Sequence, residues 1–253
     1  MSNSNLFMKI ALRFILSVLS LCALSVIANA QMQIEITGVG QSQYPIAVTR
    51  FLNESSLPSY VTDVVRSDLA NNGSFVNLER GETEVAENAI PDFTMWGARR
   101  AQALAIGTVT ALPGGLYEVK YRLYDVAKNQ SLGGTSVTVD RSNFRKAGHA
   151  IADDIVQRLT GERGIFSTRL SYVVKNTNRY QLMISDSDGQ NPREALSSNE
   201  PIISPSWSPD GKRVAYVSFE SRKPVIYIHE LATGKRIILS NEKGNNSAPS
   251  WSP

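Results

Sequence analysis

The sequence predicts an α/β domain, made of a mixed sheet with two main helices, followed by the start of an all-β propeller. Three observations predict it. Two amphipathic helical stripes each stop at a glycine, a hairpin pattern lies between them, and the C-terminal third repeats itself at an offset of 44 residues.

The chain opens on a secretory layout. Lys9 and Arg13 are the only charges among the first thirty residues, an apolar run covers Phe14 to Ile27, and Ala28-Asn29-Ala30 supplies an A-x-A cleavage pattern. The run is shorter than the roughly 20 residues a membrane span needs, so residues 1–30 read as a cleaved signal peptide rather than an anchor. Leu21 before Cys22 argues against a lipoprotein signal. The formal net charge of +3 includes Lys9 and Arg13, so cleavage leaves +1, too little for a nucleic-acid footprint. Cys22 is the only cysteine and departs with the leader, leaving no disulfide, thiolate ligand or thiol nucleophile. The mature chain is expected to enter no membrane.

Residues 31–163 read as the α/β domain. Gln33-Ile34-Glu35-Ile36 alternates like a strand, and Ile46 to Phe51 is a second. Pro58 opens a helix with Val61, Val64, Val65 and Leu69 on one face and Gly73 as its stop. Residues 79–91 read as loop, with a short helix near Met95 to Ala101. Ala103 to Leu112 and Leu116 to Val126 form a hairpin across Pro113-Gly114-Gly115, and a strand near Thr135 to Val139 follows Lys128-Asn129. Ser142 is placed to cap a last helix with Ala147, Ile151, Ile155 and Leu159 as its stripe and Gly161 at its end.

Residues 164–253 read as the beginning of the propeller, about one blade plus the start of the next. Ser204-Pro205-Ser206-Trp207-Ser208-Pro209 recurs as Ala248-Pro249-Ser250-Trp251-Ser252-Pro253. The same offset relates Arg169-Leu170-Ser171-Tyr172-Val173 to Arg213-Val214-Ala215-Tyr216-Val217, and Leu182-Met183-Ile184 to Ile226-Tyr227-Ile228. A period of roughly 40–45 residues is that of a four-stranded blade. Pro209-Asp210-Gly211 is a turn, and Arg213 to Phe219 is a nearly continuous β-prone run, Val-Ala-Tyr-Val-Ser-Phe after the Arg, suited to a strand covered on both faces. Strands follow at Val225 to Glu230 and Arg236 to Leu239, with Ser and Pro around Trp207 marking the crossing between blades. Because the chain stops where the next Asp-Gly turn is due, it reads as truncated, its last blades missing.

Candidate chemistry is sparse. His149 lies one residue off the helical stripe and reads as a structural hydrogen-bonding group; His229, beside Glu230, reads as a solvent-side strand residue. Asp153 and Asp154 are neighbours on a helix, point in different directions and read as solvated or as contacts for an N-terminal arm. No metal motif is present. Gly38-Val39-Gly40 lacks the third glycine and the helix of a dinucleotide loop. Trp207 and Trp251 recur at blade period and read as inter-blade packing rather than sugar stacking. No cofactor is expected.

The Ala147-Gly148-His149 helix with Asp154, the Leu159-Thr160-Gly161-Glu162-Arg163-Gly164 junction, Thr168 to Val174 and the Trp207 repeat through Ser221 together resemble the TolB family. The resemblance runs the whole chain. It implies a small α/β domain and a six-bladed propeller, a monomer in the periplasm acting as a non-enzymatic scaffold of the Tol–Pal system in envelope integrity and division. By that resemblance, Gln31, Met32, Gln33, Ile34, Glu35 and Ile36 bind the inner-membrane protein TolA. Ile203, Ser204, Asn245, Asn246 and Ser247, on blade-edge loops, face the lipoprotein Pal, on a surface that some colicins exploit. The alternatives are a propeller-gated peptidase resembling prolyl oligopeptidase, or a sugar-active propeller, whose catalytic part lies outside this chain.

Overall fold

In the computed structural model, the described residues are 43–57, 60–78 and 83–253. The leader, the Gln33–Ile36 strand, the Gly38-Val39-Gly40 segment and the Pro58 helix start lie outside them.

A five-stranded mixed sheet carries the first part of the chain. Strands β1 (Tyr44–Val48), β3 (Phe75–Asn77), β5 (Ala103–Ala111), β6 (Leu116–Asp125) and β7 (Gln130–Asp140) lie in the order β3-β1-β5-β6-β7. β1 runs parallel to β3 and β5, whereas β5, β6 and β7 form an antiparallel meander. The short strands β2 (Arg50–Phe51) and β4 (Glu84–Val85) pair beside it. Thus the region read as loop holds β4, and β3 follows the glycine stop; both strands are too short to show periodicity.

Strand alternation sets the two layers. Ala47, Leu104 and Ile106 turn to one face, where they pack with Trp96 from helix α2 (Phe93–Ala98). Helices α1 (Val61–Asn72) and α3 (Phe144–Thr160) belong to the other layer, with Val61, Val65, Leu69, Ala147, Ile151, Ile155 and Leu159 fully buried. Gly73 and Gly161 both close their helices in the left-handed region, at φ 80° and 79°. The start of α1 is made by tertiary structure: the cap position, Tyr60, offers no side chain, and buried Glu54 accepts the Thr62 N–H at 3.1 Å. Nor does Ser142 cap α3. The cap position is Asn143, and the Ser142 hydroxyl donates to Asp140 at 2.6 Å instead.

The second part is two antiparallel sheets. β8 (Arg169–Asn176), β9 (Arg179–Asp186) and β10 (Arg193–Ser198) form a three-stranded sheet in the order β10-β9-β8. β11 (Ile202–Trp207), β12 (Arg213–Ser218), β13 (Val225–Glu230) and β14 (Arg236–Ser240) form a four-stranded one in sequence order. The offset of 44 maps β8, β9 and β10 onto β12, β13 and β14. The counterpart of β11 falls on the end of α3 and the loop after it, so the first sheet has one strand fewer. Leu182, Ile184, Ile202, Val214 and Tyr216 join the two sheets face to face. All of Val214 to Ser218 is buried, as a strand covered on both faces requires. The segment around Trp207 is not a crossing loop but β11, bulged between Ile203 and Ser206, with Ser204 at φ 54°. All described residues belong to one compact unit.

Candidate functional site

Helix α3 meets the first propeller-like sheet through charge. Arg145, near the start of α3, donates from Nε to Asp186 Oδ2 at 3.1 Å and from its terminal nitrogen to Asp188. Both carboxylates sit at the β9–β10 turn. One helical turn on, His149 is only 2 % exposed. Its Nδ1 lies 2.6 Å from Asp68 Oδ2 on α1, and its Nε2 points toward Asp186 Oδ2 at 3.7 Å, beyond hydrogen-bond range. Burial alone lowers the His149 pKa. The Asp68 hydrogen bond and charge outweigh this, and the net direction is up. Burial likewise pushes Asp68 up, against the pull of His149. Asp188 goes down: burial opposes its ionisation, but the Gln190 N–H and Arg145 overcome it.

His149, Asp186 and Asp188 bring three ligand atoms within 4.8 Å of one another. The sequence reading found no metal motif, because the carboxylates come from a turn far along the chain. The Arg145 guanidinium already supplies a cation to both carboxylates, so the arrangement acts as an ionic joint between α3 and the β9–β10 turn. His149 is structural, as its position beside the stripe suggested.

Asp153 and Asp154 point apart, as helix geometry demands, but neither is merely solvated. Asp153 accepts the backbone N–H of Phe166 at 2.7 Å and of Ser167 at 2.9 Å, fixing the linker into β8. Asp154 accepts from Arg158 Nε at 2.7 Å and from the Tyr121 hydroxyl. Asp153 was legible as a linker anchor only with the linker folded back onto its helix. His229 also departs from expectation: it is 4 % exposed, its ring meeting the backbone of Ala195 on β10 of the neighbouring sheet.

The rim residues fall at one end of the four-stranded sheet. Ile203 and Ser204 lie in bulged β11 rather than in a loop, and Ile203 is 43 % exposed. Asn245 and Ser247 are exposed, but Asn246 is 5 % exposed and turned inward. Its side chain accepts from Ser240 Oγ and the Glu242 N–H, and donates to the carbonyls of Pro224 and Glu242. It holds the segment after β14 in place, a local role that no periodicity announces. Gln31, Met32, Gln33, Ile34, Glu35 and Ile36 lie outside the described residues.

Two family models match the chain in this order: the TolB amino-terminal domain over residues 32–132 and the TolB beta propeller domain over residues 156–253. The crystal structure of TolB from Acinetobacter baumannii is 38% identical, covers 88% of this chain and superposes with a TM-score of 0.75. The chain belongs to the TolB family. It spans 56% of the length of that TolB structure. The mixed α/β sheet with two main helices is its TolB-like first part, and the antiparallel sheets are the start of a TolB-type propeller. Fainter likenesses carry no argument. The LpoB C-terminal domain from Salmonella enterica is 14% identical with a TM-score of 0.30, covering 41% of this chain and 87% of its own. The beta-propeller domain of the Trilobed protease from Pyrococcus furiosus is 11% identical with a TM-score of 0.26, covering 56% and 40%. Among the described residues, no helix is long and apolar enough to cross a membrane.

Proposed function

We propose that this TolB-family chain is a non-enzymatic, periplasmic, monomeric scaffold of the Tol–Pal system. In this reading it binds TolA through Gln31–Ile36 and Pal through the rim at Ile203, Ser204, Asn245 and Ser247, and it supports envelope integrity and constriction at division. The observation that carries the reading is the succession of a TolB amino-terminal match and a TolB propeller match in one chain. The boundary is taken as residues 31–163 against 164–253, after a leader of residues 1–30. Asn246 leaves the proposed contact set, since its polar atoms are spent inside the loop.

The physical support is of two kinds. An alternating segment such as Gln33 to Ile36 suits pairing with the edge of a partner's sheet through backbone hydrogen bonds. The ionic joint at Arg145, Asp186 and Asp188 ties the helix layer to the propeller strands, as a scaffold with a binding surface on each part requires.

The test is binding of the full chain to purified TolA and Pal by calorimetry. Deleting residues 31–36 is expected to abolish TolA binding and leave Pal binding intact. Ile203→Asp is expected to weaken Pal binding alone. Undiminished TolA binding by the deletion variant overturns the N-terminal assignment, and undiminished Pal binding by Ile203→Asp overturns the rim.

A further inference from the structure

Between the three-stranded and four-stranded sheets lies a cleft of about 440 Å³, at the strand ends away from the rim. Arg169, Arg193 and Lys212 line it together with His229. Its two carboxylates are engaged elsewhere: Glu194 accepts from Arg179 at 3.0 Å and from Gln181, and Glu230 accepts the Thr233 hydroxyl at 2.6 Å. Arg169 is half-buried over Trp207, and burial together with the like charge of Arg193 pulls its pKa down. The two guanidiniums facing this cleft repel each other; the Asp186 carboxylate offsets part of that repulsion at Arg169, and a carboxylate bound between them offsets more. The His229 ring hydrogen-bonds the Ala195 backbone, while its buried Nδ1 has no partner among the described residues.

The repeat separates what the blades need from what this cleft adds. Arg169 recurs as Arg213, and both lie over tryptophans that themselves recur. This is framework. Arg193 corresponds to Ile237, His229 to Ser185 and Lys212 to Thr168, so these three polar groups are not demanded by blade packing.

We propose that this cleft is a binding site for an acidic peptide segment of a partner protein, with a side-chain or C-terminal carboxylate held by Arg169 and Arg193. The site goes beyond the TolA and Pal assignments and stands whether or not either is correct.

The test titrates the full chain with acetyl-Glu-Ala-Glu-amide, acetyl-Gln-Ala-Gln-amide and inorganic phosphate, following His229 ring and Arg193 side-chain resonances by NMR. Saturable shifts with the Glu peptide are expected, together with binding weakened about tenfold or more by Arg193→Ile, which installs the residue found one repeat later. If that variant loses its fold by circular dichroism, Arg193→Gln takes its place. Equal binding of the Gln peptide, no saturable shift, or an Arg193 variant that binds as tightly as the parent each overturns the proposal. A phosphate response equal to that of the Glu peptide also overturns it, reducing the cleft to a site for simple anions.

Discussion

The guanidinium of Arg169 lies over the indole of Trp207, 4.6 Å from the ring centroid. Forty-four residues on, Arg213 lies over Trp251 at 5.0 Å. The repeat therefore conserves a contact as well as a pattern of strands. In the first copy Arg169 also donates to the Gly211 carbonyl, tying β8 to the turn that opens β12. Arg169→Met keeps much of the apolar stem but removes both interactions. It is expected to cost about 1–3 kcal/mol, from a partly desolvated cation–π contact and a charged hydrogen bond. The urea midpoint of the full chain checks this.

His149 gives the joint a pH dependence. Its folded pKa lies above the ordinary histidine value, so its contribution is fully present below the unfolded pKa of about 6.5 and is lost as pH rises through the folded value. Asp68 is shifted up as well, so the folded pair binds more protons than the unfolded pair and both effects have the same sign. Arg145 opposes the imidazolium and Asp188 favours it. Stability measured at pH 5.5, 6.5 and 8 is expected to exceed that of His149→Gln by a margin that shrinks with rising pH. A margin that grows with pH contradicts the assignment.

Gly148 sits where α3 crosses α1. A Cβ there would meet Val64 Cβ at 2.7 Å and the Val61 carbonyl oxygen at 3.2 Å. Gly148→Ala gains up to about 1 kcal/mol of helix propensity, yet overpacking of about 1–3 kcal/mol is expected to win. A lowered thermal midpoint with unchanged helical circular dichroism is the expected result.

Asn246→Ala is expected to cost about 1–3 kcal/mol, because a buried side chain with four hydrogen bonds leaves its partners unpaired. Asn245→Ala and Ser247→Ala, both exposed, are expected to stay within about 0.5 kcal/mol of the parent. Denaturant titration of the three variants separates the inward residue from its neighbours.

Much of the architecture was readable from one-dimensional patterns. The stripes through Val61 to Leu69 and Ala147 to Leu159 became the buried faces of α1 and α3, and Gly73 and Gly161 became their left-handed stops. The hairpin at Pro113-Gly114-Gly115 and the repeat at 44 residues became β5–β6 and the matched blade strands. What escaped were features with no period. β3 and β4 are too short, β11 hides behind Ser204 and Pro205, and α1 is capped by Glu54 from outside the helix.

The sequence by itself determined the two main helices, the hairpin, the repeated strands and the family, because hydrophobic periodicity and glycine stops act over a few residues and survive without neighbours. Only the tertiary structure decided that Asp68, His149, Arg145 and Asp186 form one joint, that His229 is buried and that Asn246 turns inward. Those outcomes depend on which side chains from distant strands and helices exclude water from one another, and charge pairing across 40 or 80 residues leaves no trace in local spacing.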